Sequence, residues 1–311
     1  VKTSAESIFQ TTSLPRINLF VPEPNLAQLE SHMPQSGFEY VRGGMFINGA
    51  LKKVKIRYRG DYSYHWGWDK KSIRIKTGKG NLYGGLRVFN LQAPKAWSQL
   101  NNYLSLKLAE QMGLLTPRIE IVRLFLNGQD RGVYIFIEQP SETTLRNANL
   151  MPGDIYRGEM VAKGKFTIPG ITNKERWLFD STSFWDKVSI NNHYDADSVA
   201  PLEALLSLFT DSDGEGRQTA LSEIMDMEAW GRFSAFETLA STKHYGKGHN
   251  WRLYYDPWRG KFYPLVWDPA GWIERPEQVG FNVISSKLHR LLFKNGDFLR
   301  ARNTALEEFF S

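Results

Sequence analysis

Residues 250–272 read NWRLYYDPWRGKFYPLVWDPAGW, and this stretch decides how the fold is read. Strand residues alternate from Trp251 to Tyr255, a turn is expected at Asp256–Gly260, and a second strand from Phe262 to Val266 ends on Trp267 and Asp268. An acid that stops a hairpin, with an asparagine at the hairpin's other end, delivers two oxygen donors on adjacent strands. Phosphate oxygens can complete the shell of a hard cation such as Mg²⁺ around such a pair. Phosphoryl-transfer sites are often assembled in this way. Asn250 and Asp268 are therefore the candidate metal ligands.

Upstream of the hairpin the chain is helical in pattern. Asp195–Thr210 and Leu221–Leu239 read as amphipathic helices, with a polar loop at Asp211–Arg217, and Thr143–Ala148 as a shorter one. Downstream, Ile284–Lys294 and Phe298–Phe310 complete the helical part, while Pro152–Asp186 reads as irregular. The first half is different. Ile17–Val21 is a short strand, and Phe46-Ile47-Asn48-Gly49-Ala50-Leu51 is a hairpin signal, because Asn-Gly supplies the positive φ of tight turns. Val54, Ile56 and Tyr58 alternate with Lys55, Arg57 and Arg59, and Ile73 and Ile75 with Ser72, Arg74 and Lys76. Ser98–Met112 reads as one long helix with Leu100, Leu104, Leu108 and Met112 on its apolar face, Ser98 as N-cap and Gly113 as stop. A second hairpin, Ile119–Leu126 and Gly132–Glu138 around Asn127-Gly128, ends at Pro140.

This order predicts an α+β, two-lobed, atypical protein-kinase-like fold. A mostly β N-terminal lobe with one long helix, residues 1–139, precedes a mostly helical lobe, residues 140–311, that contains the metal-binding hairpin. The nucleotide is expected in the cleft between the lobes.

The 311 residues are 41% hydrophobic and 14% aromatic, with 10 Trp and 13 Tyr, enough for a sizeable core. The net charge of +6 suits anionic partners without choosing among nucleotides, acidic proteins and polymers. Absence of cysteine removes disulfides, thiolate metal sites and cysteine nucleophiles. No apolar run approaches the ~20 residues of a membrane span, and no signal peptide is visible at Val1. The chain reads as a piece of a longer protein, with an extracytoplasmic or cell-surface location compatible with it.

An ordered series of motifs resembles the CotH family of atypical, spore-coat-type protein kinases. It comprises Arg59-Gly60, Lys70-Lys71-Ser72-Ile73-Arg74-Ile75-Lys76, Asn101-Asn102-Tyr103, Leu108-Ala109, Met112-Gly113, Pro117-Arg118, Leu124-Phe125-Leu126-Asn127-Gly128, Gly132-Val133-Tyr134, Glu138-Gln139, Asn250, Tyr254-Tyr255 and Trp267-Asp268. The resemblance implies transfer of the γ-phosphate of ATP to Ser or Thr of a protein, with Mg²⁺ or Mn²⁺ as cofactor. It implies that Asp268 and Asn250 bind the metal, and that Glu138 and Gln139 lie beside the adenine. Two departures stand out. No Asp occurs from Ser241 to Asn250, where the family often carries a base, and Pro269-Ala270 replaces a further Asp.

Three further roles follow. His244 is the candidate general base in the absence of that Asp, since imidazole accepts a proton near neutral pH. Arg74 or Lys76 is the candidate phosphate-binding cation, and Glu110 its candidate partner, as in kinases generally. A rival metal shell of His244, His249 and Asp268 has the right donor types but no known spacing. Glycines 78, 80, 84 and 85 read as a flexible loop, and the aromatic clusters at 65–68 and 177–185 as packing rather than nucleic-acid stacking. The alternatives to a kinase are a pseudokinase scaffold that keeps the fold and binds nucleotide without transfer, and a transferase that moves the adenylyl group. A Ser-rich or basic protein is the expected acceptor.

Overall fold

The computed structural model describes residues 14–31, 33, 39–60, 68–94, 100–159, 178–189, 197–210, 215–242, 244–246, 248–271 and 281–311. The elements in order are β1 (Arg16–Phe20), α1 (Glu23–Ser31), β2 (Val41–Ile47), β3 (Ala50–Tyr58), β4 (Ile73–Thr77), β5 (Val88–Gln92), α2 (Asn101–Gln111), β6 (Ile119–Leu126), β7 (Gln129–Glu138), α3 (Glu142–Asn147), β8 (Asp154–Gly158), β9 (Trp185–Ser189), α4 (Ala200–Ser207), α5 (Glu215–Ile224), α6 (Met227–Leu239), β10 (Trp251–Asp256), β11 (Lys261–Pro264), α7 (Lys287–Leu292) and α8 (Gly296–Phe310). The expected α+β class holds. The chain forms two compact units, one of residues 1–94 with 120–137, the other of residues 95–119 with 138–311. Residues 95–119, read from sequence as part of a first lobe, cluster with the second unit.

The first unit is a closed barrel in the order β1-β2-β3-β4-β5-β7-β6. Both Asn-Gly signals make tight turns, with φ of 50° and 76° at Asn48-Gly49 and 51° and 81° at Asn127-Gly128, the left-handed pair that matches strand twist. Val54, Ile56, Tyr58, Ile73 and Ile75 fill the interior beside Phe89, Leu91 and Phe136. Between them, Arg74 and Lys76 project from the other face of β4. Register sets Lys55 opposite both Arg42 on β2 and Lys76 on β4. Directly opposed like charges cost up to ~1 kcal/mol each. The helix α1 was not foreseen. Its Glu30 accepts a hydrogen bond from the Tyr58 hydroxyl and lies 3.5 Å from Lys71 Nζ.

The second unit is not merely helical. Its hairpin β10–β11 belongs to a four-stranded sheet in the order β11-β10-β8-β9. β8 falls inside the stretch read as irregular, and β9 begins at its end. β10 pairs with β11 and β8 on its two sides, and Trp251, Arg252, Leu253 and Tyr254 are all buried. The helix expected over Leu221–Leu239 is two helices. Asp226 breaks it, its carboxylate accepting the Ala229 N–H at 2.9 Å as the N-cap of α6. α6 then crosses α8 so closely that a Cβ on Gly231 would lie 2.6 Å from both Ala301 Cβ and Arg302 N.

The apolar stripe assigned to α2 does not set its buried face. Asn101, Asn102, Ser105, Leu106 and Ala109 are buried, while Leu100 and Leu104 are exposed. Polar residues win this face because a loop offers them backbone partners, as described below. Ser98, the expected cap, lies outside the described residues, as do His65–Gly67, Trp177 and Trp272. No helix among the described residues is long and apolar enough to cross a membrane.

Candidate functional site

Asn250 and Asp268 are each followed or preceded by a buried tryptophan, and these anchors fix their backbones. Trp251, directly after Asn250, packs with Phe179, Tyr245 and His289 at ring-centroid distances of 5.3, 5.6 and 5.3 Å. Its indole N–H donates to the Gly246 carbonyl at 2.9 Å. Trp267, directly before Asp268, donates its backbone N–H to the Tyr245 hydroxyl at 3.1 Å and lies under the Arg252 guanidinium, 5.3 Å from the ring centroid. One tyrosine therefore ties both ends of the hairpin together.

The loop after Trp267 is strained. Asp268, Ala270 and Gly271 take φ of 48°, 51° and 82°, and Asn250 takes 68°. Left-handed backbone is tolerable for Asn and Asp, less so for Ala. Gly271 has no alternative, since a Cβ there would meet the Ala240 carbonyl oxygen at 2.4 Å. The polar face of α2 holds this loop. Asn101 Nδ2 donates to Gly271 O at 3.1 Å and Ser105 Oγ to Ala270 O at 2.5 Å. Asn102 Oδ1 accepts the Ala270 N–H at 3.4 Å, while its Nδ2 donates to Asp268 Oδ1 at 3.1 Å. The Thr242 hydroxyl donates to the Pro269 carbonyl.

His244 joins the two candidate ligands. Its Nδ1 is 2.6 Å from the Asp268 carbonyl oxygen and 3.9 Å from Asp268 Oδ2. The Asn250 carboxamide nitrogen lies 3.1 Å from Nδ1 and 3.3 Å from Nε2. The Nδ1–H tautomer satisfies the carbonyl and turns the Nε2 lone pair toward the Asn250 amide. The imidazole is 38% exposed and the Asp268 carboxylate 26%, so both can be reached from solvent. Asn250 as a whole is buried, 7% exposed, and its N–H donates to Glu159 Oε1 at 3.4 Å.

Glu159 and Arg252 form an inner pair that sequence reading missed. Arg252 Nη1 donates to Glu159 Oε1 at 3.0 Å. Burial pulls the Arg252 guanidinium below its ordinary range, and Glu159 opposes that pull. The cue in the sequence was an Arg at an alternating core position of β10, a residue type that is buried only when paired.

The remaining candidates have contacts of their own. Glu138 is buried, with Oε2 accepting the Arg118 N–H at 3.0 Å and Oε1 accepting the Thr144 hydroxyl at 2.7 Å. Desolvation pushes its carboxyl above the ordinary range. Gln139 follows it, half-buried. Glu110 is exposed and bonded to Lys107 of its own helix at 2.7 Å. In the first unit, Arg74 Nε donates to Asn90 Oδ1 at 2.7 Å. The rival shell of His244, His249 and Asp268 does not form. The two imidazoles meet edge to face at 5.3 Å, and no group of three His, Asp or Glu side chains among the described residues is placed to hold a metal.

The family comparison decides the kinship. A family model described as CotH kinase protein matches residues 56–306, most of the chain. The chain belongs to the CotH family. Among curated CotH relatives, the inner spore coat protein H of Bacillus subtilis (strain 168) is 30% identical over 146 residues, 47% of this chain and 39% of that protein. The aligned part thus spans well under half of that relative's length. Within the CotH match lie α2, the hairpin and the strained loop after Trp267.

The support from α2 makes a prediction for this CotH member. Asn102→Ala removes the bond that orients the Asp268 carboxylate and one partner of the strained loop. Loss of a hydrogen-bond partner at a largely buried position costs about 1–3 kcal/mol, so the variant should unfold at a lower urea concentration than the parent, measured by circular dichroism.

Proposed function

We propose that this CotH-family chain is a Mg²⁺-dependent protein kinase, transferring the γ-phosphate of ATP to Ser or Thr of a protein. The observation that supports it is the meeting of the Asp268 carboxylate and the Asn250 carboxamide at one solvent-reachable imidazole. The donor set suits the cation. One carboxylate and one carboxamide are hard oxygen donors, too few for an all-protein cage and appropriate to Mg²⁺, which keeps waters and takes phosphate oxygens. Asp268 and Asn250 would hold the cation, which would supply charge neutralisation at the phosphates.

The chain's own residues supply the rest. Asn102 keeps one oxygen of Asp268 turned to α2 and leaves the other toward His244. Tyr245, Trp251 and Trp267 hold the two ligands at fixed separation, so little ordering is needed when nucleotide arrives. His244 sits between them and is assigned to the acceptor hydroxyl, with Nε2 as the proton-accepting atom once Asn250 turns away. Phosphate-binding cations are assigned at Arg74 or Lys76, and of these Lys76 has no side-chain partner among the described residues. Glu138 has both carboxylate oxygens engaged, by the Arg118 N–H and the Thr144 hydroxyl, and it and Gln139 stay the adenine-side candidates of the resemblance. Kinship to a spore coat protein supports a surface location.

A second reading, a pseudokinase, draws on His244. Its Nδ1 is committed to the Asp268 carbonyl and its Nε2 faces an amide, with no Asp from Ser241 to Asn250 to serve instead. Calorimetric titration with ATP and Mg²⁺, paired with intact-mass analysis of a Ser-rich test protein, separates the readings. A phosphoryl increment supports the kinase. Binding without any increment supports the scaffold, and an adenylyl increment would replace both.

A further inference from the structure

The first unit carries a groove of about 1020 Å³ with a distinctive lining. Phe20 and Leu51 are its apolar residues that matter here, and Arg42, Lys52, Lys53, Lys55, Lys76 and Arg87 are its charged ones. No Asp or Glu among the described residues lines it. Among the described residues, none of these six cationic side chains has a hydrogen bond or an ion pair. Surface cations usually find a carboxylate nearby, as Arg123 finds Asp130 on β7.

The strand register makes the cluster self-repelling. Arg42 faces Lys55 across β2 and β3, and Lys55 faces Lys76 across β3 and β4, so three cations stand in one row. Lys53 lies two residues from Lys55 on the same side of β3, opposite Gly44, which has no side chain to cover it. A row of this kind weakens the sheet unless anions lie on it. The same row with low-lying apolar residues beside it concentrates positive potential over a greasy floor.

We propose that this groove docks an acidic, partly apolar peptide segment of a protein partner. Carboxylates of the segment would lie along the Arg42–Lys55–Lys76 row, and its apolar side chains would lie on Phe20 and Leu51. The lining favours a peptide over a nucleic acid. Among the described residues Phe20 is the one aromatic residue in the lining, whereas single strands are held by several aromatic platforms, and four of the six cations are lysines rather than the flat arginines that stack on bases. The inference concerns the barrel; it gives Lys76 to the partner segment and leaves Arg74 as the barrel's candidate phosphate-binding cation.

The test is fluorescence anisotropy of a labelled peptide of repeated Glu-Asp-Leu triplets, titrated with the full chain. Binding that weakens with added salt is expected, as exposed charge pairs are screened. Lys53→Glu/Lys55→Glu should weaken it by about ten-fold or more, the loss typical of reversing steering charges. Arg42→Gln/Lys55→Gln, which relieves repulsion and so keeps the barrel folded, should weaken it in the same direction with a melting temperature equal to or above that of the parent. Equal affinity of both variants and parent would overturn the proposal. So would failure of the parent to bind, or displacement of the peptide by oligothymidylate at lower concentration than by unlabelled peptide.

Discussion

Asp268→Ala is expected to abolish Mg²⁺-dependent phosphate transfer while leaving the protein folded. The carboxylate is the sole full negative charge of the proposed metal pair. Losing it should slow turnover by at least ~1000-fold, about 4 kcal/mol of transition-state stabilisation. The fold should survive, because the side chain is partly exposed and the loop is also held by bonds from Asn101 and Ser105 to its backbone. Asp268→Asn sharpens the test. It keeps an oxygen for Asn102 and a near-identical shape but removes the charge, so activity should fall nearly as far with an unchanged melting curve. Radiolabelled phosphate incorporation measures the first quantity and circular dichroism the second. Undiminished incorporation in either variant removes Asp268 from the mechanism.

Glu237→Ala should produce the largest loss of stability. Glu237 and His289 are both fully buried, with Nε2 of the imidazole 3.1 and 3.0 Å from the two carboxylate oxygens. The other ring nitrogen is 2.9 Å from Ser286 Oγ, and Arg302 is a further charge acting on the carboxyl. Truncating one member of such a buried set costs about 3–5 kcal/mol, because its partners remain buried without it. The damage would reach the site. The His289 ring packs on Trp251 at 5.3 Å, and Ser285 Oγ donates to the Tyr245 carbonyl at 2.6 Å.

This group also sets a pH dependence. Burial raises the Glu237 carboxyl above its ordinary range, against the smaller opposing pull of His289. A raised carboxyl binds its proton more tightly when folded. Its contribution to stability is complete below the ordinary carboxyl value and is lost as pH rises through the raised one. Glu237→Gln should remove that decline and cost less than the alanine variant, since an amide still offers His289 a partner. Urea titrations of both proteins at mildly acidic and neutral pH measure the difference in slope. Parallel slopes would show that the carboxyl does not titrate in this window.

The parts of the fold legible in sequence were those decided locally. Asn48-Gly49 and Asn127-Gly128 announce their turns because positive φ is a property of those residues themselves. The alternation at Val54, Ile56 and Tyr58 announces a buried face for a similar reason. The break at Asp226 was equally local and went unread, although an Asp three residues before a backbone N–H that it can cap is a start signal. The stripe of α2 could not be read this way. Leu100 and Leu104 look like core, yet Asn101, Asn102 and Ser105 are buried because the loop at 268–271, far away in sequence, supplies their hydrogen-bond partners. The same distance hid Glu159 and placed β8 beside β10, a pairing that depends on Ile155 and Tyr254 meeting across about a hundred residues. In the site, Asn250, Asp268 and His244 were legible as chemistry, while Asn102 and Tyr245 were not, because their work is to hold others.

The seam of the barrel has a consequence for synthesis. β1 meets β6 in parallel, Arg16 beside Arg123 and Leu19 beside Leu126. A nascent chain that has reached residue 94 therefore owns five of the seven staves and two raw margins, one along β1 and one along β5. Such margins recruit foreign strands. They stay open until the ribosome has added the whole α2 segment and the hairpin behind it, so the vulnerable interval is fixed by translation speed rather than by local folding. A shortened gene that stops before residue 120 should yield inclusion bodies, and one that runs through residue 137 should recover the seam.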